Sequence, residues 1–341
     1  MPIRILLDAM GSDAHPEPEV AAALAAADLW GEPVGLVGPQ DQLAAALGSR
    51  PSARAAVEIV HAPEVLEMAD HAAESARGKP LSSMAVGIQQ LREGHADAFV
   101  TAGNTGGAMA TALFRLGRIR GVKRPALCAL FPVQDGRAVV LDIGANAECR
   151  PEYLVQFAIM GSVYAEKVLG RPAPRVALLS NGEEPGKGNE LVRQTFPLLL
   201  ESGLHFIGNV ESKEVYGAHA DVVVTDGFTG NIFLKTSEAV AAFLVSLIRS
   251  EIRSGPVTTL GGLLARPAFR RVGALLDPAE YGAVPLLGVD GLVFIGHGRS
   301  DARALLNALR AARQAVESRL LDALRQAIQQ RLSGGAAPSE A

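Results

Sequence analysis

The residues able to do chemistry gather where short apolar runs give way to Gly, Asn, Asp and Thr. Asp8-Ala-Met-Gly11-Ser-Asp13 follows Ile3–Leu7. Thr101-Ala-Gly103-Asn104-Thr105-Gly-Gly107 follows Phe99-Val100, and Asp142-Ile-Gly-Ala-Asn146 follows Val139–Leu141. Ser180-Asn-Gly-Glu-Glu-Pro-Gly-Lys187-Gly-Asn189 follows Val176–Leu179, and Thr225-Asp226-Gly227-Phe-Thr229-Gly-Asn231 follows Val222–Val224. In an open parallel sheet, ligands bind at the carboxyl ends of strands. Glycine there lets backbone come close to a ligand, and the helix that follows offers unpaired N–H groups to an anion. Any one such loop is more often a plain turn; five together predict a site.

Nucleotide signatures do not fit. Gly182–Gly188 begins like a phosphate-binding P-loop, but its first glycine is one residue too close to Gly186-Lys187, and Gly188 stands where Ser or Thr is needed. Gly296-His297-Gly-Arg299-Ser-Asp301 opens like a dinucleotide fingerprint and ends on Asp301, so it suits an anion better than NAD. There is no GxSxG elbow, no HExxH or CxxC pair, and no His with an Asp five residues on. The expectation is a site without metal or cofactor, where a small bound anion attacks directly and no protein nucleophile is needed.

The elements that must position these loops are legible. Strands are predicted at Ile3–Asp8, Pro33–Val37, Val57–Val60, Ala98–Thr101, Leu127–Phe131, Val139–Leu141, Val176–Leu179 and Val222–Thr225, with a strand-like run at Val293–Ile295. Helical spacing recurs at Glu19–Leu29, Thr105–Leu116, Tyr153–Leu169 and Glu238–Arg249, and a long last helix is expected over Asp301–Leu332. This alternation predicts an α/β fold, a mostly parallel sheet covered on both faces. The segment 255–281 breaks the rhythm and reads as an amphipathic hairpin of two short helices hinged near Pro267. A single domain over 1–333 and a disordered tail over 334–341 follow.

Composition bounds the partners. Of 341 residues, 48% are hydrophobic, and the net charge of −4 at pH 7 leaves no basic surplus for nucleic acid. Two cysteines make no disulfide framework, and the N-terminus reads as a strand rather than a signal peptide, so a cytoplasmic protein is expected. The uncharged apolar stretch Ala239–Ile248 is short of the ~20 residues of a membrane span.

The loops resemble the acyl-acyl-carrier-protein:phosphate acyltransferase family of bacterial phospholipid synthesis. The resemblance rests on Asp8-Ala-Met-Gly11, Ala102-Gly-Asn-Thr-Gly106, Leu141-Asp-Ile-Gly-Ala-Asn146, Ala158-Ile-Met-Gly-Ser-Val-Tyr164, Lys187-Gly-Asn-Glu-Leu191 and Phe206-Ile-Gly-Asn-Val-Glu211. Above all it rests on Ala220–Asn231, continued by Leu234-Lys235-Thr236, with Tyr281-Gly-Ala283 and His297 beyond. It runs from about Ile3 to Val316. It implies a three-layer fold related to isocitrate dehydrogenase and phosphotransacetylase, a homodimer, and an acyl phosphate product that feeds a membrane glycerol-3-phosphate acyltransferase. The chain departs from the pattern at Ser12, at the displaced His15 and at Arg299.

The roles expected on this reading are specific. Lys187 grips phosphate or developing charge; Asp226, Asn231 and His297 complete the catalytic set, with His297 a candidate to protonate the leaving thiol. Asp8, Gly11, Gly103, Asn104, Thr105, Asn146, Asn189, Gly227, Thr229 and Lys235 line the substrate site. The asparagines are equally apt as helix caps or turn residues. Arg115, Arg118, Arg120, Lys123 and Arg124 form a basic run suited to acidic acyl carrier protein, or to a solvated helix end. Arg266, Arg270 and Arg271 among apolar neighbours suit an anionic membrane surface or a dimer contact. The rival functions are an acyl-coenzyme-A-dependent phosphotransacylase and a non-catalytic membrane scaffold.

Overall fold

The computed structural model describes residues 3–48, 57–134 and 136–334. The tail expected to be disordered lies, from residue 335, outside the described residues. In chain order the elements are β1 (Ile5–Asp8), α1 (Glu17–Trp30), β2 (Val34–Gly38), α2 (Gln40–Leu47), β3 (Val57–His61), α3 (Ala72–Gly78), α4 (Ser83–Arg92), β4 (Ala98–Thr101) and α5 (Thr105–Arg115). They continue with β5 (Ala126–Val133), β6 (Gly136–Leu141), α6 (Pro151–Lys167), β7 (Val176–Leu179), α7 (Glu190–Leu200), β8 (Phe206–Val210), α8 (Ser212–Tyr216) and β9 (Val222–Val224). The last are α9 (Gly227–Ile252), α10 (Pro256–Leu276), β10 (Ala283–Leu287), β11 (Leu292–Gly296), α11 (Ala302–Glu317) and α12 (Leu320–Gly334).

All strands join one sheet in the order β3-β2-β1-β4-β11-β10-β5-β6-β9-β7-β8. Alternate strand residues enter two separate cores. Ile5, Leu7, Val139, Leu141, Val222, Val224 and Phe294 face one side, packed with α1, α6 and α11. Leu6, Phe99, Val140, Val223, Val293 and Ile295 face the other, with Met84 and Ile88 of α4 and Ala108 and Ala112 of α5. A sheet buried on both faces with helices outside is the expected three-layer α/β/α architecture.

The sheet is not uniformly directed. β10 runs antiparallel to β11 and β5, and β5 antiparallel to β6. The strands β3, β2, β1, β4 and β11 therefore point one way, and β6, β9, β7 and β8 the other.

Three helical expectations are corrected. The helix expected to start at Glu238 starts at Gly227, because Asp226 caps it: its carboxylate accepts from the Thr229 amide at 2.9 Å and the Thr229 hydroxyl at 2.8 Å. The hinge near Pro267 does not exist; Pro267 lies inside α10, and the break falls at Gly255-Pro256, where proline is suited to the first helical turn. An internal proline removes one N–H and strands one carbonyl, which an exposed helix leaves to water. The hairpin is thus α9 against α10. The last helix splits at Ser318-Arg319, where Arg319 is left-handed (φ 54°), and α12 then buries Leu320, Leu324 and Ile328.

Candidate active site

The reversal of strand direction sorts the predicted loops into two groups, on opposite rims of the sheet. The loops after β1, β4 and β11 share the first rim; those after β6, β7 and β9 share the second.

On the first rim, the loops are bonded to one another. Asp8 is buried; its carboxylate accepts from the Thr101 hydroxyl at 2.7 Å and the Met10 amide at 3.1 Å, and Thr101 Oγ1 in turn accepts from the Gly103 amide at 3.0 Å. Gly11 lies so close to this turn that a Cβ would stand 2.8 Å from the Gly103 nitrogen. Asn104 caps α5 by accepting from Gly107 N at 2.9 Å, while its amide donates to the Met68 and Asp70 carbonyls at 3.0 and 3.2 Å. Thr105 opens that helix. The Asp13 amide donates to the Gly298 carbonyl at 2.7 Å, which ties the first loop to the turn carrying His297. Asp8, Gly103 and Asn104 are thus engaged in internal bonds, with Gly11 packed against them, and none of the four lines the neighbouring pocket.

The open part of this rim is a pocket of about 1020 Å³ lined by Lys235 and Glu238 of α9, Arg249, Arg270 of α10, and His297, Arg299 and the start of α11. Lys235 pairs with Glu238 at 3.3 Å. The Arg299 amide donates to His297 Nδ1 at 3.3 Å, which puts the proton of the neutral ring on Nε2. Burial, with Lys235 and Arg299 close by, holds the His297 pKa below the usual imidazole value. Asp301 caps α11 by accepting from Ala304 N at 2.8 Å, so the positive end of a long helix opens on this pocket. Arg249, Arg270 and Arg303 are lining residues that loop motifs could not disclose. Arg249 and Arg270 come from helix faces brought together by the α9–α10 hairpin, and Arg303 comes from the first turn of α11.

On the second rim, Asp142 is the hub. Oδ1 accepts from Leu127, Gly144 and Ala145 amides at 3.0–3.2 Å, and Oδ2 accepts from the Asn146 amide at 2.7 Å and its side chain at 2.9 Å. Burial pushes the Asp142 carboxyl up against those donors, which favour its charged form. Asn146 also donates to the Pro125 carbonyl at 2.7 Å. A Cβ on Gly227 would stand 2.6 Å from the Asn146 carbonyl oxygen, and one on Gly230 would stand 1.9 Å from that of Asp142. Only glycine lets α9 start against this loop. Asn231 sits beside Gly144 with its side chain exposed. A second pocket, of about 510 Å³, is lined by Ser180, Asn181, Gly188, Asn189, Asp226, Thr229 and Thr236. Asn189 caps α7 through Val192 N at 3.0 Å. Lys187 is exposed on the same loop and lines neither pocket. Cys149, bonded to the Asn146 carbonyl, is pushed up to about 12 by burial and by Asp142, so it holds no nucleophilic thiolate at neutral pH.

The two rims are joined by α9. Its cap, Asp226, belongs to the second rim, and Lys235 further along lines the first-rim pocket beside His297. Of the expected site residues, Lys235 from the substrate-binding set and His297 from the catalytic set are therefore brought together, and Lys187, Asp226, Asn231, Asn189 and Asn146 stand apart from them. The basic run divides as well. Arg115 is tied to the Pro80 carbonyl at 3.0 Å, and Arg118 donates to the Lys123 carbonyl. Arg118, Arg120, Lys123 and Arg124 are exposed.

The three-layer α/β/α fold is shared with solved phosphotransacetylases. A phosphotransacetylase from Streptococcus pyogenes superposes with a TM-score of 0.59 at 15% identity, covering 96% of this chain and 94% of that one. EutD phosphotransacetylase from Staphylococcus aureus gives 0.56 at 17% identity, covering 93% and 94%. The family described as "Fatty acid synthesis protein" matches residues 3–322. Phosphate acyltransferase from Pelotomaculum thermopropionicum is 46% identical over 327 residues, 96% of this chain and 95% of the relative. Its counterpart from Acidobacterium capsulatum is 48% identical over 309 residues, 90% and 92%. The chain belongs to the phosphate acyltransferase family of fatty acid and phospholipid synthesis, and is an acyltransferase.

Proposed function

We propose that this enzyme moves a fatty acyl group from acyl-acyl carrier protein to inorganic phosphate and releases acyl phosphate. A phosphate oxygen attacks the thioester carbon, the C–S bond breaks, and the proton of hydrogen phosphate passes to the departing thiolate. The reaction then balances without external acid. The observation that carries this reading is the first-rim pocket, where Lys235, Arg299 and the start of α11 face the one histidine of the site. Cations and a helix N-terminus hold the anion. The neutral His297 cannot protonate the thiol efficiently; its Nε2–H instead donates to the carbonyl oxygen as charge develops there, a contribution of ~3 kcal/mol in comparable sites. Asp226 and Asn231 act by anchoring the start of α9 and so placing Lys235.

The enzyme works as a homodimer on the cytoplasmic side, resting on the membrane that holds the glycerol-3-phosphate acyltransferase consuming its product. Support comes from the hairpin: Leu260, Leu263 and Leu264 of α10 are 61–78% exposed, beside Arg266 and Arg271. Among the described residues, the helix α9 alone is long and apolar enough to cross a bilayer. Its first turns are held on the sheet by Gly230 and by Phe233 stacked on Phe131, so it lies on lipid rather than through it.

The test is mass-spectrometric detection of acyl phosphate from purified protein, phosphate and palmitoyl-acyl carrier protein or palmitoyl coenzyme A. Product from the carrier-protein donor, with little from coenzyme A, supports the reading. Equal rates would favour the coenzyme-A-dependent reaction, and no product from either would favour a scaffold.

A further inference from the structure

We infer that the apolar groove between β5 and the α9–α10 hairpin seats the donor's hydrocarbon chain; the inference rests on the acyl-transfer reading above. The groove measures about 480 Å³, within the ~300–1,000 Å³ of small-molecule sites. Its floor is aromatic. Phe131, 2% exposed, stacks on Phe233 with centroids 4.9 Å apart and planes 2° apart, and Tyr216 tilts against both. Its walls are Leu130, Val240, Leu244 and Leu276, of which Val240 and Leu244 stay about half exposed (50% and 48%).

Three features select a hydrocarbon over other occupants. Most polar side chains that reach the groove are already engaged: Ser237 donates to the Phe233 carbonyl at 2.6 Å and accepts from the Tyr216 hydroxyl, Tyr281 donates to the Leu275 carbonyl at 3.2 Å, and Glu238 pairs with Lys235. An extended peptide or a sugar entering here would lose hydrogen bonds to water without replacement; an alkyl chain loses none. The groove is also continuous with the first-rim pocket, sharing Glu238, Ala241 and Leu276 with it. A thioester carbonyl placed at His297 therefore directs its chain along α9 into the groove. Finally, the groove adjoins the pocket that holds the reacting group, so a chain seated in it needs no second opening.

The experiment compares kcat/KM for octanoyl, dodecanoyl and palmitoyl donors in the wild type and in Val240→Trp and Leu244→Trp. Both positions are half exposed, so a larger side chain fills the groove without crowding the core. The wild type should gain with chain length, by up to about fourfold per buried methylene. The Trp variants should lose at least about tenfold on palmitoyl donor while octanoyl donor changes by no more than about threefold. A second readout needs no turnover: palmitate should displace a fluorescent polyene fatty acid from the wild type, and the probe should bind the Trp variants at least about tenfold more weakly. An unaltered chain-length profile in both variants, an equal loss at every length, or no probe binding by the wild type would overturn the inference. Equal loss with a change from dimer to monomer in sedimentation would assign the groove to a second copy instead. Should no donor yield acyl phosphate, the transfer reading fails, and the fatty-acid titration still decides the groove.

Discussion

Lys235 and Lys187 illustrate what residue type can and cannot disclose. Both sit in loops or helix starts rich in glycine, and Lys187 is the more conspicuous because glycines flank it. Only folding separates them: Lys235 faces His297 across an open pocket, and Lys187 is exposed away from it. Lys235→Ala is expected to lower kcat/KM at least 100-fold, the scale of losing a charged donor to the transition state, and Lys187→Ala about tenfold or less; steady-state kinetics at varied phosphate checks both. The pH profile adds a signature. Because His297 is held below the usual value of ~6.5, its acid limb should lie under that value, after correction for phosphate ionisation. Removing the neighbouring cation in Lys235→Met should move the limb upward in whatever activity survives. A second residue, Glu19, was not singled out by any motif. It is fully buried, accepts from the Ser12 amide at 2.9 Å, and leaves Oε2 without a partner. Burial pushes its carboxyl up. A raised acid stabilises the fold below its ordinary pKa, and that contribution is lost as pH rises through the folded value. Glu19→Gln should therefore raise Tm at neutral pH, with the gain shrinking toward pH ~4.3, as thermal melts across pH would show.

Among elements, α9 shows why the motif Thr225–Asn231 was legible and its meaning was not. The sequence marks a cap and two glycines; the structure adds that Gly230 passes within contact of the Asp142 carbonyl. Gly230→Ala would force the helix start away and with it Lys235, so a loss of about 1–3 kcal/mol in stability should accompany a fall in kcat larger than any rise in KM. Denaturant melts and kinetics on the same preparation separate the two effects. The hairpin was legible as amphipathic but misread in its joints. Proline reads as a breaker wherever it stands, yet Gly255-Pro256 opens α10 and Pro267 rides inside it. The surface this exposes is testable as an element. Leu263→Glu with Phe269→Glu should abolish flotation with anionic vesicles while leaving turnover of carrier-protein donor in solution within about twofold; undiminished flotation would place lipid contact elsewhere.

At the scale of the whole molecule, strand positions and burial on both faces were readable from composition and period, because a continuous Val/Ile/Leu run is unambiguous about being inside. Strand direction was not. β8 and β10 carry Gly208 and Pro285 and were not read as strands, and the β5–β6 turn and β10 reverse the sheet. Loops that look alike in sequence thus end on opposite rims, and no spacing rule announces it. The same division governs how a carrier could dock. Arg118, Arg120, Lys123 and Arg124 are all exposed on the loop before β5. The protein as a whole is acidic, at −4, so an acidic carrier is repelled in general and attracted only locally. Such a field acts over a Debye length of ~8 Å at physiological salt, and mostly on the rate of encounter. Arg118→Glu with Arg120→Glu should raise KM for acyl-acyl carrier protein about tenfold at low salt, with the ratio to wild type shrinking as salt rises and KM for phosphate unchanged. Because Arg118 also holds the Lys123 carbonyl, Arg120→Glu alone should show the same salt dependence in weaker form. If KM for the carrier stays at the wild-type value in both variants, docking falls instead to the arginines around the first-rim pocket, Arg249 and Arg270, whose exchange for Gln would then carry the salt-dependent rise.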